Sequence, residues 1–263
     1  MPVTDLRSLR PLARRAADLS VGAVVYFSRG PGAAAEKPIA AVPPPPPAPA
    51  EPAVRHPLPS AQMDQALPPL DESARPLQAA LEELVGKQPV EQYLVPDDLI
   101  RHIVVTIDNL PNEKVAERLR PLKPMPGAFA VGGTEDARLL DPSNYKRYAP
   151  LVQLLRTTDT QRLVAVYTRY YPLFQQAYEN LGHPPQYFND RLVEVIDHLL
   201  AAPDVAGPIA LTQPGVQYEF ADAALESRSA GQKVLIRMGR ENAGVVKDKL
   251  RELRQQLIAM QPG

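Results

Sequence analysis

Cysteine and tryptophan are both missing from the 263 residues. Without cysteine there are no disulfides, thiol nucleophiles or zinc–thiolate sites, and either redox compartment suits the chain. Long apolar runs are missing too. The best of them, Leu19 to Phe27 (LSVGAVVYF), has nine residues, about half of the roughly 20 that a spanning helix needs. No phosphate loop, dinucleotide glycine fingerprint or H-E-x-x-H pair occurs. Excess charge is also lacking. The total is −1, split as +2 over residues 1–70 (seven Lys/Arg, five Asp/Glu) and −3 over the remainder (22 and 25). A mildly acidic body argues against nucleic acid, which selects a basic face.

What the chain has in quantity is proline, 31 residues of it. The stretch Pro38 to Pro59 includes Pro43-Pro44-Pro45-Pro46-Pro47. Proline has no amide donor and a fixed φ, so this stretch can neither pair in a sheet nor continue a helix. It reads as a polyproline II spacer, on the order of 70 Å if fully stretched at about 3.1 Å per residue. Three regions follow. Residues 1–30 form a degenerate or truncated anchor segment, residues 31–66 a Pro-rich disordered linker making few contacts, and residues 67–263 a folded head. In the first region Arg7, Arg10, Arg14 and Arg15 precede the short apolar run. That is the order of a signal anchor with its N-terminus inside. Asp18 and Ser28-Arg29-Gly30-Pro31 bound the run on its two sides. Residues 19–27 can therefore touch a membrane, but as written they are expected to insert poorly.

The head reads as mainly α, a multi-helix, bundle-like domain with a small β-hairpin. Helices are predicted over Ser73–Val85 with Ser73 as cap, Pro96–Leu110 with Pro96 first, and Asn112–Leu119. Others are predicted over Pro142–Leu155, Thr160–Leu181, Gln186–Leu200, Ser229–Met238 and Glu241–Met260. Phe129 to Gly133 reads as loop, and alternation around Pro214-Gly215 gives the hairpin from Ile209 to Phe220. Ile103, Ile107, Tyr167, Phe174, Leu192 and Ile196 are expected to be deeply buried in one cluster.

Candidate chemistry is sparse. His56 lies in the spacer. Asp98/His102 and Glu194/His198 are carboxylate–histidine pairs four apart, with Asp190 and Asp197 near the second. Such pairs are routine on solvated helix faces and seldom bind metal. Serine, histidine and acid form no nucleophile motif. The reading names no catalytic, cofactor-binding or metal residue and expects no enzyme. Seven tyrosines, Tyr145, Tyr148, Tyr167, Tyr170, Tyr171, Tyr178 and Tyr187, fall within 43 residues. They either edge the core or line an aromatic groove for a peptide or glycan. Val246, Leu250, Leu253, Leu257 and Met260 make a two-heptad seam that docks on its own domain or on a partner helix.

Four segments carry a resemblance. They are LVPDDLIRHIVVTIDNLP (Leu94–Pro111), LLDPSNYKRYAPLV (Leu139–Val152), YFNDRLVEVIDHLLAAP (Tyr187–Pro203) and SAGQKVLIRMGRENA (Ser229–Ala243). In this order they resemble an uncharacterised, mostly proteobacterial domain-of-unknown-function family, over about residues 67 to 255. The resemblance implies an N-terminal membrane helix, a Pro-rich linker and then this domain. GAVVYFSRG (Gly22–Gly30) matches the end of such an anchor, while Arg14, Arg15 and Asp18 depart from it. The family supplies no activity, ligand or catalytic residue. The expectation is a non-enzymatic cell-envelope interaction or scaffold module. It would be tethered at the bacterial inner membrane with a periplasmic head and an unknown protein partner. The alternative is a soluble-ligand, glycan or peptide receptor that uses the Tyr-rich region.

Overall fold

The computed structural model of the protein describes residues 53–59 and 66–260. The anchor expected in residues 1–30, and the linker residues 31–52 and 60–65, lie outside the described residues. The head is mainly helical, as expected, and the described residues belong to one compact unit that starts at Pro49.

Helix α1 (Ala74–Val85) and the short α2 (Lys87–Tyr93) meet at Gly86. Ser73 does not cap α1; its hydroxyl donates back to the Leu70 carbonyl, 2.6 Å away, closing a 3₁₀ turn. Helix α3 spans Leu99–Asn109 and starts later than Pro96 suggested. Asp98 precedes it in the left-handed region, at φ 45°, which sets the helix off from Pro96-Asp97. The helix expected over residues 112–119 is reduced to one 3₁₀ turn, Glu117–Leu119.

Two short hairpins lie far apart along the chain, with three helices between them. The first, β1 (Val131–Gly133) with β2 (Arg138–Leu140), replaces the expected loop. Gly133 turns it at φ +82°, where a Cβ would lie 2.1 Å from the Ala137 carbonyl oxygen. The second, β3 (Leu211–Thr212) with β4 (Glu219–Phe220), is the hairpin anticipated from the alternation. A bridge between Leu139 and Ala210 joins the two, and Leu140, Ile209, Leu211, Phe220 and Ile236 form their small apolar core.

The remaining helices are α4 (Ser143–Thr157), α5 (Thr160–Asn180), α6 (Phe188–Leu200), α7 (Ala223–Glu226), α8 (Ala230–Arg237) and α9 (Arg240–Ala259). Helix α5 continues through Pro172. Asp159 caps α5 and Ser229 caps α8, each accepting an amide hydrogen bond three residues on. Helix α9 packs on α4, α5, α6 and α8, so its apolar seam is used within the chain. Gly239 opens α9 at φ +84°, and a side chain there would meet the Tyr145 ring at 2.7 Å.

Two buried lysines of α9 hold the ends of neighbouring helices. The Lys247 ammonium donates to the Ala202 carbonyl at 2.7 Å and to Asp204 at 2.6 Å, just past α6. Lys249 donates to the Thr158 carbonyl at 3.0 Å, to Thr160 Oγ1 at 2.9 Å and to Glu252 at 2.7 Å, where α4 hands over to α5. Carbonyls at and just past two helix C-termini are thus satisfied by cations, which the helix dipole also favours.

The core is divided, contrary to the single cluster expected. Phe174 and Ile196 are buried, but Ile103, Ile107, Tyr167 and Leu192 are only partly so. Leu77, Leu99, Ile100, Phe174, Tyr178 and Phe188 anchor one cluster between α1, α3, α5 and the start of α6. Val164, Val193, Ile196 and Leu257 anchor another, between α5, α6 and α9. Helix α6 gives Phe188 at its start to the first cluster and Val193 and Ile196 to the second, and Tyr167 touches both. Among the described residues no helix is long and apolar enough to cross a membrane.

Phe188 has no exposed surface and packs on Phe174 and Tyr178. Phe188→Ala should lower unfolding free energy by about 3–5 kcal/mol in denaturant titrations. Leu192→Ala, at a half-buried position, should cost clearly less; equal losses would contradict this division of the core. A second outcome concerns acid. Lys249 and Thr160 hold the Glu252 carboxyl below its ordinary pKa of 4.5. A depressed carboxylate stabilises the fold above the unfolded pKa and loses that effect as pH falls through the folded one. The stability gap between wild type and Glu252→Gln should therefore be full near pH 6 and close below about pH 4.

Candidate peptide-binding groove

Residues 53–59 come from the proline-rich stretch, form no helix or strand, and lie against the start of α6. The linker reading expected few contacts here; instead their backbone is held at four points. Asp190 accepts the Arg55 amide through Oδ2 at 2.9 Å and the His56 amide through Oδ1 at 2.7 Å. Asn189 donates from Nδ2 to the His56 carbonyl at 2.8 Å. The Tyr187 hydroxyl accepts the Leu58 amide at 3.0 Å. Tyr187, Asn189 and Asp190 thus converge because the first turn of α6 and the residue before it project toward the strand.

Helix α5 fixes these side chains from behind. The Tyr167 hydroxyl donates to Asn189 Oδ1 at 3.2 Å, which aims the Asn189 amide nitrogen at the strand. The Asn189 backbone amide donates to the Tyr171 hydroxyl at 3.3 Å, and Tyr171 in turn donates to Gln175 Oε1 at 2.9 Å. Gln175 Oε1 also accepts the Phe188 amide at 2.8 Å, doing the work of a cap for α6. The Tyr171 ring lies 5.7 Å from that of Tyr167 and 5.2 Å from that of Tyr187. Burial pushes the Tyr167 and Tyr171 hydroxyls well above the ordinary phenol range, so both stay neutral.

Two side chains of the strand are also engaged. Leu58 is 4% exposed and joins the cluster of Leu70, Leu77 and Phe188. Arg55 pairs with Glu194, one turn beyond Asp190, and Glu194 also approaches Arg191 at 3.5 Å. Arg191 is held in place by the Asp108 carboxylate and carbonyl, both at 2.8 Å. Among the described residues the His56 imidazole makes no hydrogen bond, and its backbone makes the contacts.

The other residues singled out in the sequence are engaged elsewhere. Asp98 pairs with Arg101, and Asp197 with Arg254. His198 lies 2.8 Å from Ser229 Oγ, which also caps α8, and no carboxylate bonds His198 among the described residues. His102 Nδ1 is buried without a hydrogen-bond partner among the described residues. Among the described residues no group of three or more His, Asp or Glu could hold a metal ion. Of the seven tyrosines, Tyr167, Tyr171 and Tyr187 meet at the strand. Tyr145 and Tyr148 serve other clusters, and Tyr170 and Tyr178 are core. An open hollow of about 650 Å³ lies instead beside Glu113, Glu219, Phe220 and Glu226, away from these tyrosines.

A family described as "Protein of unknown function (DUF3014)" matches residues 99–254. The chain belongs to that family. The match contains every groove residue from Tyr167 to Glu194 but excludes the strand at residues 53–59. No curated protein and no solved structure matches the chain.

Trypsin can cut after Arg55, beside the two amides that Asp190 holds. Hydrogen bonds to charged acceptors stabilise by about 1.5–3 kcal/mol. Asp190→Ala should therefore speed cleavage at Arg55 about tenfold or more, with the helical CD signal unchanged. Equal cleavage rates would show that the strand is not held there.

Proposed function

We propose that this domain is a non-enzymatic interaction module that grips an extended polypeptide strand, with residues 53–59 as its resident occupant. One observation carries the reading. Three side chains within four residues, Tyr187, Asn189 and Asp190, address three amides and one carbonyl of a segment 129 to 135 residues away in sequence. Main-chain recognition of this kind suits any extended chain, while the flanking pockets select side chains. The Tyr-rich region then works as a peptide site, the receptor alternative raised by the sequence. The setting we propose is the bacterial cell envelope, with the head on the periplasmic side. The basic-then-apolar order of residues 7–27 and the family resemblance support that setting.

The test uses the full chain with residues 53–59 replaced by Gly and Ser at equal length. A labelled peptide of residues 52–60 (PAVRHPLPS) is added in trans and followed by fluorescence anisotropy. Saturable binding, lost in the same chain carrying Asp190→Ala, is expected. A folded chain that fails to bind this peptide would overturn the proposal.

A further inference from the structure

We infer that the helical body holds a further site, a narrow apolar hollow that takes the end of one hydrocarbon chain, about six to eight carbons long. The inference goes beyond the peptide-holding reading and does not rest on it.

Four helices build the hollow. Helix α3 packs on α5 and α6, and α9 packs on the same two, as in a four-helix bundle. Ile107 of α3, Val164 of α5, Val195 of α6 and Leu253 of α9 are among the side chains that line the space between them, about 200 Å³ in volume. It lies where the two core clusters meet. Ile107 belongs to the first, Ile196 and Leu257 to the second, and Val195, 1% exposed, to neither. Ion pairs fix the spacing of the walls: Arg191 ties α6 to α3 through Asp108, and Arg254 ties α9 to α6 through Asp197.

The lining names the guest. Every lining side chain is aliphatic except Tyr167, whose hydroxyl is engaged with Asn189. Water would find no partners there, whereas a hydrocarbon would restore the contacts that the walls lack on this side. Size excludes a glycan or a drug-sized ligand, which fills about 300 Å³ or more. A cavity of about 150 Å³ takes benzene, so this one holds slightly more than six carbons. Shape favours a chain over a ring. Along α6 the lining runs from Leu192 to Leu199, a rise of about 10 Å. Volume divided by that length leaves a cross-section of about 20 Å², the girth of one extended alkyl chain. Ile107, Leu192, Leu199 and Leu250 keep part of their surface exposed, so the hollow reaches solvent. A chain can enter end first and leave its polar head in water.

The experiment titrates the full chain with 1-alkanols from butanol to decanol and follows the methyl resonances of Leu, Ile and Val. Affinity should rise about fourfold per added methylene, the gain from burying one such group, and level off near seven carbons. Val195→Phe, which places a ring in the hollow, should weaken 1-heptanol binding at least about tenfold. Leu253→Ala removes three carbons from the wall and should move the plateau about two carbons farther. If Val195→Phe loses its helical CD signal, Leu253→Ala alone decides. Octanoate and dioctanoyl phosphatidylcholine below its micelle threshold are two further arms. The one that binds more tightly than 1-octanol tells a free acid from a lipid as the source of the chain. Absence of saturable binding by any alkanol would overturn the inference. So would an affinity indifferent to chain length, or one unchanged by both substitutions. The peptide titration of the strand groove is independent of all these outcomes.

Discussion

Asn189 has no exposed surface, and its amide must find partners inside the protein. The Tyr167 hydroxyl supplies one, and the carbonyl of His56 supplies the other. That requirement organises the region around it. A buried amide left without an acceptor costs about 1–3 kcal/mol, so the start of α6 is complete only when a strand lies across it. Leu58 makes the same demand in apolar terms, because its removal would open the cluster of Leu70 and Leu77. Polar and apolar needs are met by one segment, a few residues long, that crosses both.

The support for this arrangement lies in α5. Tyr167, Tyr171 and Gln175 recur four residues apart on one face and meet Asn189 and the α6 amides in sequence. Their backing is the aromatic stack of Phe174, Phe188 and Tyr178. Helix α9 holds the opposite side of α5 and α6 through Leu257 and pins the neighbouring helix ends with Lys247 and Lys249. The groove is therefore built on packed helices rather than on loops. A site on rigid elements keeps its geometry when the occupant changes.

Local signals made much of the fold legible. The predicted ranges Thr160–Leu181, Ser229–Met238 and Glu241–Met260 placed α5, α8 and α9 nearly correctly. Errors arose where tertiary contacts outweighed local preference. Ser73 turned to Leu70 instead of capping, and the left-handed Asp98 moved the start of α3 beyond Pro96. Two glycines and short strands hid the first hairpin, whose pairing is completed by Ala210, far along the chain. The single core failed because α6 serves two clusters along its length, giving Phe188 at its start to one and Val193 and Ile196 further on to the other. Of the site, the tyrosines were visible as a cluster and Asp190 only as a neighbour of a dismissed metal pair. Asn189 carried no signal, since one asparagine at a helix start is ordinary. The occupant was invisible because periodicity reports nearby residues, and the strand meets its site across some 130 positions.

Amide hydrogen exchange, read residue by residue on the intact chain, tests the central claim most directly. If the strand is held as described, the amides of Arg55, His56 and Leu58 exchange slowly while those of Ala53 and Val54 exchange freely. Protection at 55 and 56 should also disappear together in Asn189→Ala, because both amides depend on one docked strand. Uniformly fast exchange across residues 53–59, in a chain whose α5 and α6 amides remain protected, would contradict the account.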